Sequence, residues 1–557
     1  MPQDAFTLRY LCEELNGILS GGKINRITQP TSDITALTVY TRVGIKRLIL
    51  NVDPSSPRIG IGEDEPKQEI SSSNFCMLLR KHLLSATIKA VSLVGFDRIV
   101  KIDLIPSAEF FDSPEKTLYV ELMGRYSNVI LTENGKVLGG NRGINFLDNN
   151  VRPLIAGLPY KFPPVGDKVV PSDVAVRLLF SDKTLITAEN LCAKIQGLAL
   201  STSHEIVNRY NNVGGDFYKV LNDFIYITEP RPCVIYSDGV AKDVLVYPYK
   251  SLDGEIREFT ALYLAEENFF SEKENAKKVK QLKDRLLSVV SSGLKKSKKR
   301  LNAVNMRYKD AETAEENRIK GELILSNIYK LKGGERQAEF DNYYDGTKIT
   351  VALDERLSPA KNAENYYKKY NKQKRAIVSL IPQKESAENE INYLNSVESE
   401  INLAETFSDL KAVESELILS GYINKVSQKK GKARENEPSP RVYEVYGFTV
   451  KVGRNNAEND KITFSAKPSD IWLHAKSYHS SHVIIETNGK KLPERVLIVS
   501  AEICAYYSKG RDGGKTEIVY CEKKFVKKPK KSALGFCTYT DFKSITVKPD
   551  SHAEMSK

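Results

Sequence analysis

Val279-Lys280-Gln281-Leu282-Lys283-Asp284-Arg285-Leu286-Leu287-Ser288-Val289 decides how this chain is laid out, together with a later run in which Ile391, Leu394 and Ile401 are followed by Leu410, Val413 and Leu417. Apolar residues three and four apart, with Lys, Arg and Glu between them, draw a narrow apolar seam along a solvated helix. Such a helix is marginal alone in water, so the simplest arrangement pairs one run against the other. From about Ala265 to about Ser420 the pattern predicts a long antiparallel coiled-coil arm with smaller structured pieces at its tip. The material on either side reads as separate globular heads. The expected fold class is α+β multidomain: a mixed α/β or α+β N-terminal domain, a helical segment, the arm, and a C-terminal α+β domain.

The 557 residues suffice for three or four domains of about 100–200 residues each. A hydrophobic content of 41% supports real cores. No run of about eighteen apolar residues occurs, so no membrane-spanning helix is expected. The opening Met1-Pro2-Gln3-Asp4-Ala5-Phe6 lacks the basic and apolar regions of an export signal, which points to the cytoplasm. Seven scattered cysteines, never spaced CxxC, read as reduced core thiols rather than a disulfide frame or a zinc site. Lys and Arg number 83 against 71 acids, a net charge of +12, and an excess of this kind favours a polyanion such as nucleic acid. A merely basic protein has the same total, so the distribution of charge has to decide.

Phe6–Leu19 reads as an amphipathic helix stopped by Gly21-Gly22, and Phe75–Leu84 as a second helix. Ile34–Tyr40, Lys46–Val52, Lys89–Leu104, Lys116–Leu122 and Asn128–Thr132 read as strands, the last closing on the hairpin turn Glu133-Asn134-Gly135-Lys136. The stiff Leu158–Pro164 connector marks a boundary. Residues from about 175 to 235 read as helical, with Ala193–Tyr210 the clearest helix, and Pro232–Thr260 as a few strands. At the tip of the arm Gly346–Ala352 reads as a strand, and Leu357–Lys372 interleaves tyrosine with lysine. That mixture suits base stacking plus charge, and equally a helix whose tyrosines pack inward. The charged segment Gln428–Pro440 reads as a linker to the last, strand-rich domain.

Several stretches carry chemistry. Gly95-Phe96-Asp97-Arg98 sets an acid beside an arginine within an apolar run, and Glu121-Leu122-Met123-Gly124-Arg125 repeats the pairing where a strand meets a glycine. Either pair can be a structural ion pair that fixes a turn. Either can also aim a guanidinium fork at a phosphate or base edge. Gly197–Ser203 is a tight turn that either joins two helices or grips a nucleic-acid backbone. Lys295–Arg300 has five cations in six residues, a solvated helix face or a phosphate-tracking one. Lys523, Lys524, Lys527, Lys528, Lys530 and Lys531 crowd into nine residues around Phe525 and Pro529. The proline argues against a helix, and lysines on a strand-turn frame read as phosphate contacts.

Common catalytic and nucleotide-cradling motifs are absent, namely GxxxxGK[ST], GxGxxG, HExxH and GxSxG. His474, His479 and His482 cluster without carboxylates or cysteines at metal-ligand spacing, so a structural role is expected and no metal or cofactor. Pro2, if exposed by loss of Met1, would offer the secondary amine that some DNA glycosylases use. Nothing downstream supports that chemistry.

Taken together, Asp97-Arg98, Glu121-x-x-Gly124-Arg125-x-Ser127-Asn128, Pro359-x-x-Asn362-Ala363-x-x-Tyr366 and Val452-Gly453-Arg454-Asn455-Asn456-x-x-Asn459-Asp460 form an ordered set. Asp470-x-Trp472-Leu473-His474-x-Lys476, Ser481-His482-Val483 and Lys527-Lys528-Pro529 continue it. The set resembles the RqcH/NFACT family of NEMF-like ribosome-associated quality control factors, many of which carry the older label fibronectin-binding protein. The resemblance implies an NFACT-N domain over 1–172, a helix-hairpin-helix-like segment and connector over 173–262, a coiled-coil middle domain over 263–425 and an NFACT-R RNA-binding domain over 441–550. It also implies a factor without covalent chemistry. The partners implied are the large ribosomal subunit with its rRNA and stalk-base proteins, peptidyl-tRNA, tRNA-Ala and a small RNA-binding protein of the RqcP type, with no membrane. By the same resemblance Asp97 and Arg98 engage tRNA, and Glu121 and Arg125 form a second tRNA-binding motif. The sequence departs at Asp4-Ala5-Phe6, where the family more often has Asp-Gly, and at Ser477–Ser480, where an Asp-Ile-Pro-Gly type of turn is usual. A fibronectin-binding surface adhesin and a glycosylase-like DNA-processing enzyme are the rival functions.

Overall fold

The computed structural model describes residues 3–62, 73–107, 114–143, 152–424, 439–530 and 532–556. The chain divides into two compact units, Met1–Glu274 and Asn275–Lys557.

In the first unit α1 (Ala5–Leu19) starts where the Asp4 carboxylate accepts a hydrogen bond from the Thr7 amide at 2.9 Å, an N-cap that satisfies one of the donors a helix start leaves unpaired. The chain then builds β1 (Lys23–Thr31), β2 (Ile34–Thr41), β3 (Gly44–Asn51) and β4 (Arg58–Ile61), followed by α2 (Asn74–Leu83). β5 (Thr87–Leu93), β6 (Ile99–Ile105), β7 (Lys116–Glu121), β8 (Asn128–Glu133) and β9 (Lys136–Gly140) complete one nine-stranded sheet in the order β4-β3-β2-β1-β5-β6-β7-β8-β9. Its pairings are antiparallel throughout, so of the two alternatives this region is α+β, and the mixed α/β one is corrected. α1 and α2 supply Phe6, Leu8, Leu11, Leu15 and Leu79 to the core beneath the sheet. The Asn134-Gly135 hairpin turn is present, with both residues at positive φ (48° and 75°) as a tight two-residue turn requires.

Two runs break where the sequence reading kept them whole. Lys89–Leu104 is two strands, β5 and β6, folded back at a turn where Gly95 has φ of 58°. Ala193–Tyr210 is not one helix. After α3 (Ala175–Leu179) come α4 (Ala188–Lys194) and α5 (Leu200–Val213), separated at Gly197 with φ of 77°, and then α6 (Phe217–Ile225). β1 escaped notice because bulges between Ile24 and Arg26 and between Thr28 and Thr31 spoil its alternation. β10 (Cys233–Ser237), β11 (Val240–Leu245) and β12 (Glu255–Glu258) form a small antiparallel sheet ahead of α7 (Leu262–Glu312).

In the second unit the later part of α7 is followed by α8 (Ala314–Ser326), the hairpin β13 (Gln337–Asp341) and β14 (Lys348–Ala352), α9 (Pro359–Leu403) and α10 (Phe407–Leu419). Leu282, Leu286, Val290 and Leu294 of α7 share one core with Leu394, Val397 and Ile401 of α9 and with Leu410, Val413 and Leu417 of α10. Steps of four bring Val290 into the seam in place of the expected Val289. α7 and α9 run antiparallel. The Lys283 ammonium donates to the Asn402 carbonyl at 2.9 Å, Arg300 pairs with Glu390 at 3.3 Å, and the Gln373 amide donates to the Asp310 carbonyl at 2.8 Å. Two tyrosines of the Leu357–Lys372 segment pack: Tyr366 donates to the Ala352 carbonyl at 2.7 Å, and Tyr367 lies against Gly321.

The last part of the chain forms β15 (Arg441–Val445), β16 (Phe448–Val452), α11 (Asn456–Ser465), β17 (Ile471–Ala475), β18 (Val483–Ile485), α12 (Glu494–Tyr506), β19 (Thr516–Glu522), β20 (Val526–Lys527), β21 (Thr538–Tyr539) and β22 (Lys543–Val547). The main sheet runs β15-β16-β18-β17-β19-β22 with α12 against it, and β20 pairs separately with β21. Polar contacts tie this domain to α10. Arg441 pairs with Asp409 at 2.9 Å, Arg454 donates to Ser408 Oγ at 2.7 Å, and the Asn455 amide donates to the Ala412 carbonyl at 2.6 Å. No helix among the described residues is long and apolar enough to cross a membrane.

Candidate nucleic-acid interface

Three turns of the first unit converge on one cleft of about 370 Å³. The β5–β6 turn supplies Asp97 and Arg98, the segment after β7 supplies Met123, and the α4–α5 junction supplies Gln196 through Leu200. Asp97 is held from both sides: one oxygen accepts from the Arg98 amide at 2.7 Å, the other from the Gln196 side-chain amide at 3.2 Å. The Arg98 carbonyl accepts from the Leu122 amide at 2.9 Å, which fixes the turn to the end of β7. Gly197 is required here. A Cβ on it would collide with both the Phe96 carbonyl and the Ala5 methyl, and its φ is one that side chains avoid. Asp4 closes the arrangement, because its second oxygen accepts from the Ala199 amide at 3.0 Å and from Thr202 at 2.6 Å. Lys168 lies on the same cleft and donates to the Cys192 carbonyl at 2.9 Å. An arginine with an oriented carboxylate beside it, a lysine and a close backbone turn can receive a phosphodiester or the edge of an unstacked base.

Glu121 and Arg125 are not each other's partners. Glu121 is 1% exposed and holds a bidentate ion pair with Arg152, one arm of it at 3.1 Å, and it accepts from the Tyr160 hydroxyl at 2.7 Å. Burial first, then the charge of Glu121, pushes the Tyr160 hydroxyl well above the ordinary phenol range, so it stays protonated as a donor. Arg125 stands exposed on a short 3₁₀ turn over the ring of Tyr126, while its carbonyl accepts from Arg142 at 3.1 Å. Glu121 is thus an internal brace, and Arg125 is the member of that motif that reaches solvent.

In the second unit Lys523 and Lys524 lie on a 3₁₀ turn and Lys527 ends β20. They are not equivalent. Lys524 pairs with Glu522 at 2.6 Å, Lys528 pairs with Asp460 of α11, and Lys527 and Lys530 are exposed. Lys531 and Pro2 lie outside the described residues. In the helical part Arg300 is drawn to α9, leaving Lys295, Lys296, Lys298 and Lys299 as an exposed face.

The three histidines separate in role. The His474 ring lies parallel to Trp472, 3° between planes, and His482 stands edge-on to both. His482 shares a 2.8 Å hydrogen bond with Thr463, and its amide donates to Asn459 Oδ1. Burial lowers His474 to about 4 and His482 to about 3, so both rings are neutral at physiological pH. Among the described residues no group of three or more His, Cys, Asp or Glu could hold a metal ion. Gln196 and Lys168 went unnoticed in the sequence, where neither stands in a recognisable pattern. Only the Gly197 turn carried a signal.

Charged turns and lysine segments set on folded units are what a multidomain RNA-binding protein presents. The description "NFACT N-terminal and middle domains" fits residues 4–436, and "NFACT protein RNA binding domain" fits residues 441–535; the chain belongs to the RqcH/NFACT family. It is similar to the Rqc2 homolog RqcH of Streptococcus pneumoniae serotype 2 (strain D39), 30% identical over an alignment that covers 100% of both chains. It is equally similar to the Rqc2 homolog RqcH of Bacillus subtilis (strain 168), 30% identical over 97% of each. Among solved structures, the C-terminal part of the fibronectin/fibrinogen-binding protein from Streptococcus suis is 28% identical and covers 50% of this chain and 100% of that one, with a TM-score of 0.40.

Proposed function

We propose that this protein is a cytoplasmic ribosome-associated quality control factor. It binds large ribosomal subunits that still carry peptidyl-tRNA after a stall. There it recruits tRNA, specifically tRNA-Ala, so that an untemplated C-terminal tail is added and marks the nascent chain for degradation. Peptidyl transfer belongs to the ribosome, and the protein acts by positioning. The observation that carries this reading is family membership along the full length, RNA-binding domain included.

The cleft at Asp97 and Arg98 supports a division of labour. Arg98 and Lys168 meet tRNA phosphate or base edges, Asp97 orients the guanidinium, Arg125 adds an outer cation, and Glu121 keeps the strand end rigid. Residues 1–172 act as the NFACT-N domain and 173–262 as a helix-hairpin-helix-like segment. Residues 263–425 form a coiled-coil middle domain that meets rRNA and stalk-base proteins, and 441–550 form the NFACT-R domain whose lysines track phosphates. A small RNA-binding partner of the RqcP type shares the subunit.

The test is capture of tagged protein from cells with stalled translation, followed by sequencing of the bound RNA. Large-subunit rRNA enriched together with tRNA-Ala is the expected result. Recovery without large subunits or tRNA overturns the reading, and recovery from the cell surface or cleavage of damaged-base DNA would favour a rival.

A further inference from the structure

The second unit holds a cavity of about 300 Å³ that the tRNA-recruiting role does not use. One wall is α9, where Asn389, Asn392 and Ser396 share a helix face. The facing wall carries the rings of His474 and His482. Lys530 and Phe536 also line the cavity, and Phe536 is 55% exposed. The floor is hydrogen-bonded: Asn456 is 5% exposed, and its amide donates to Ser396 Oγ at 3.0 Å and to the buried Glu416 at 3.2 Å. Gly535 presses so closely on Asn456 that a Cβ there would collide with it, which fixes the rim segment to the floor.

The dimensions and the donor set select a ligand class. A volume near 300 Å³ lies at the small end of ligand pockets and suits a nucleobase with its ribose. Carboxamides offer paired donors and acceptors to a base edge, the exposed ring of Phe536 offers a stacking surface, and a lysine at the mouth meets a phosphate. Because His474 and His482 are neutral, the wall they form is aromatic rather than cationic. We infer that this cavity receives one unstacked nucleobase carried on a ribose phosphate, with Asn389 and Asn392 at the base edge and Lys530 at the phosphate. The inference rests on the RNA-binding reading and adds to it a pocket that holds a base, where the lysines alone hold only backbone.

Trp472 is the only tryptophan of the chain and stacks on the cavity-lining His474, so its fluorescence reports occupancy. The full-length protein is titrated with a short oligoribonucleotide, with the same oligonucleotide bearing abasic sites, and with nucleoside monophosphates. The expected result is a fluorescence change with the intact strand and about tenfold weaker binding of the abasic one, equivalent to about 1.4 kcal/mol. Asn392→Leu, at an exposed helix position, should bring intact RNA down to the abasic affinity while leaving abasic RNA unchanged. Lys530→Ala should weaken both strands. A full response to monophosphates identifies a free nucleotide as the ligand, and a response to oligonucleotide alone identifies RNA. Equal affinity for intact and abasic strands overturns the pocket while sparing RNA binding by the lysines. Failure to bind either strand overturns both.

Discussion

The Asp97–Arg98 cleft and the lysine segment from Lys523 to Lys530 present positive charge in opposite ways. In the cleft few cations stand on turns that are braced by backbone hydrogen bonds, a buried capping acid and a glycine without alternatives. In the segment many lysines are offered, yet two of those described are committed to Glu522 and Asp460. A charge run in a sequence therefore overstates what a ligand meets, and a two-residue motif understates it. Geometry suits recognition of one feature of an RNA, and number suits adhesion to any phosphate backbone.

The contrast can be tested from its most costly element downward. Glu121→Ala leaves Arg152 buried without its carboxylate and strips Tyr160 of its acceptor, so chemical denaturation should show a loss of about 3–5 kcal/mol. A loss below 1 kcal/mol would mean that the brace is dispensable. Next comes pH. Burial raises Glu266 to about 8 from an ordinary 4.5, so between those values the folded chain keeps a proton that the unfolded chain has released. That contribution is complete below pH 4.5 and is lost as pH rises toward 8, on the order of 3 kcal/mol by pH 7. Glu266→Gln should flatten this limb of the stability curve, and a variant that still loses stability with wild-type slope would assign the effect elsewhere. His474 and His482 act in the opposite sense in the second unit, losing their contribution as pH falls below 6.5 toward 4. Glu400 and the buried Glu416 there share the direction of Glu266.

Asp97→Ala combined with Arg98→Ala should leave the melting transition in place and reduce tRNA affinity about tenfold, about 1.4 kcal/mol. Unchanged capture of tRNA by the folded double variant would make that pair purely structural. The smallest effects belong to single lysines. Lys527→Ala and Lys530→Ala should each lower the slope of log affinity against log salt by about 0.7–0.9, whereas Lys528→Ala, already neutralised by Asp460, should change it less. Identical slopes for all three would erase the distinction between committed and exposed cations.

Much of the helical seam was legible in the sequence because period and charge agree over long stretches, and the error at Val289 is the drift of a helix that advances by fours. Turn chemistry at Asn134-Gly135 was equally plain. The Gly95 turn was hidden, since Val91 through Val100 reads as one apolar run and a single glycine does not announce a reversal. The true partner of Glu121 was out of reach, as Arg152 follows a separate stretch of chain. The α9 wall of the cavity could not be anticipated, because Asn389 and Asn392 look like ordinary solvated helix positions until another domain is set against them.

Position 5 and position 197 are bound by a one-way relation. Residue 5 carries a methyl that a side chain at 197 would strike, so Ala5→Gly would relieve one obstacle. The Phe96 carbonyl and the left-handed backbone at 197 would remain. Position 197 therefore stays locked to glycine whichever of the two residues stands at position 5.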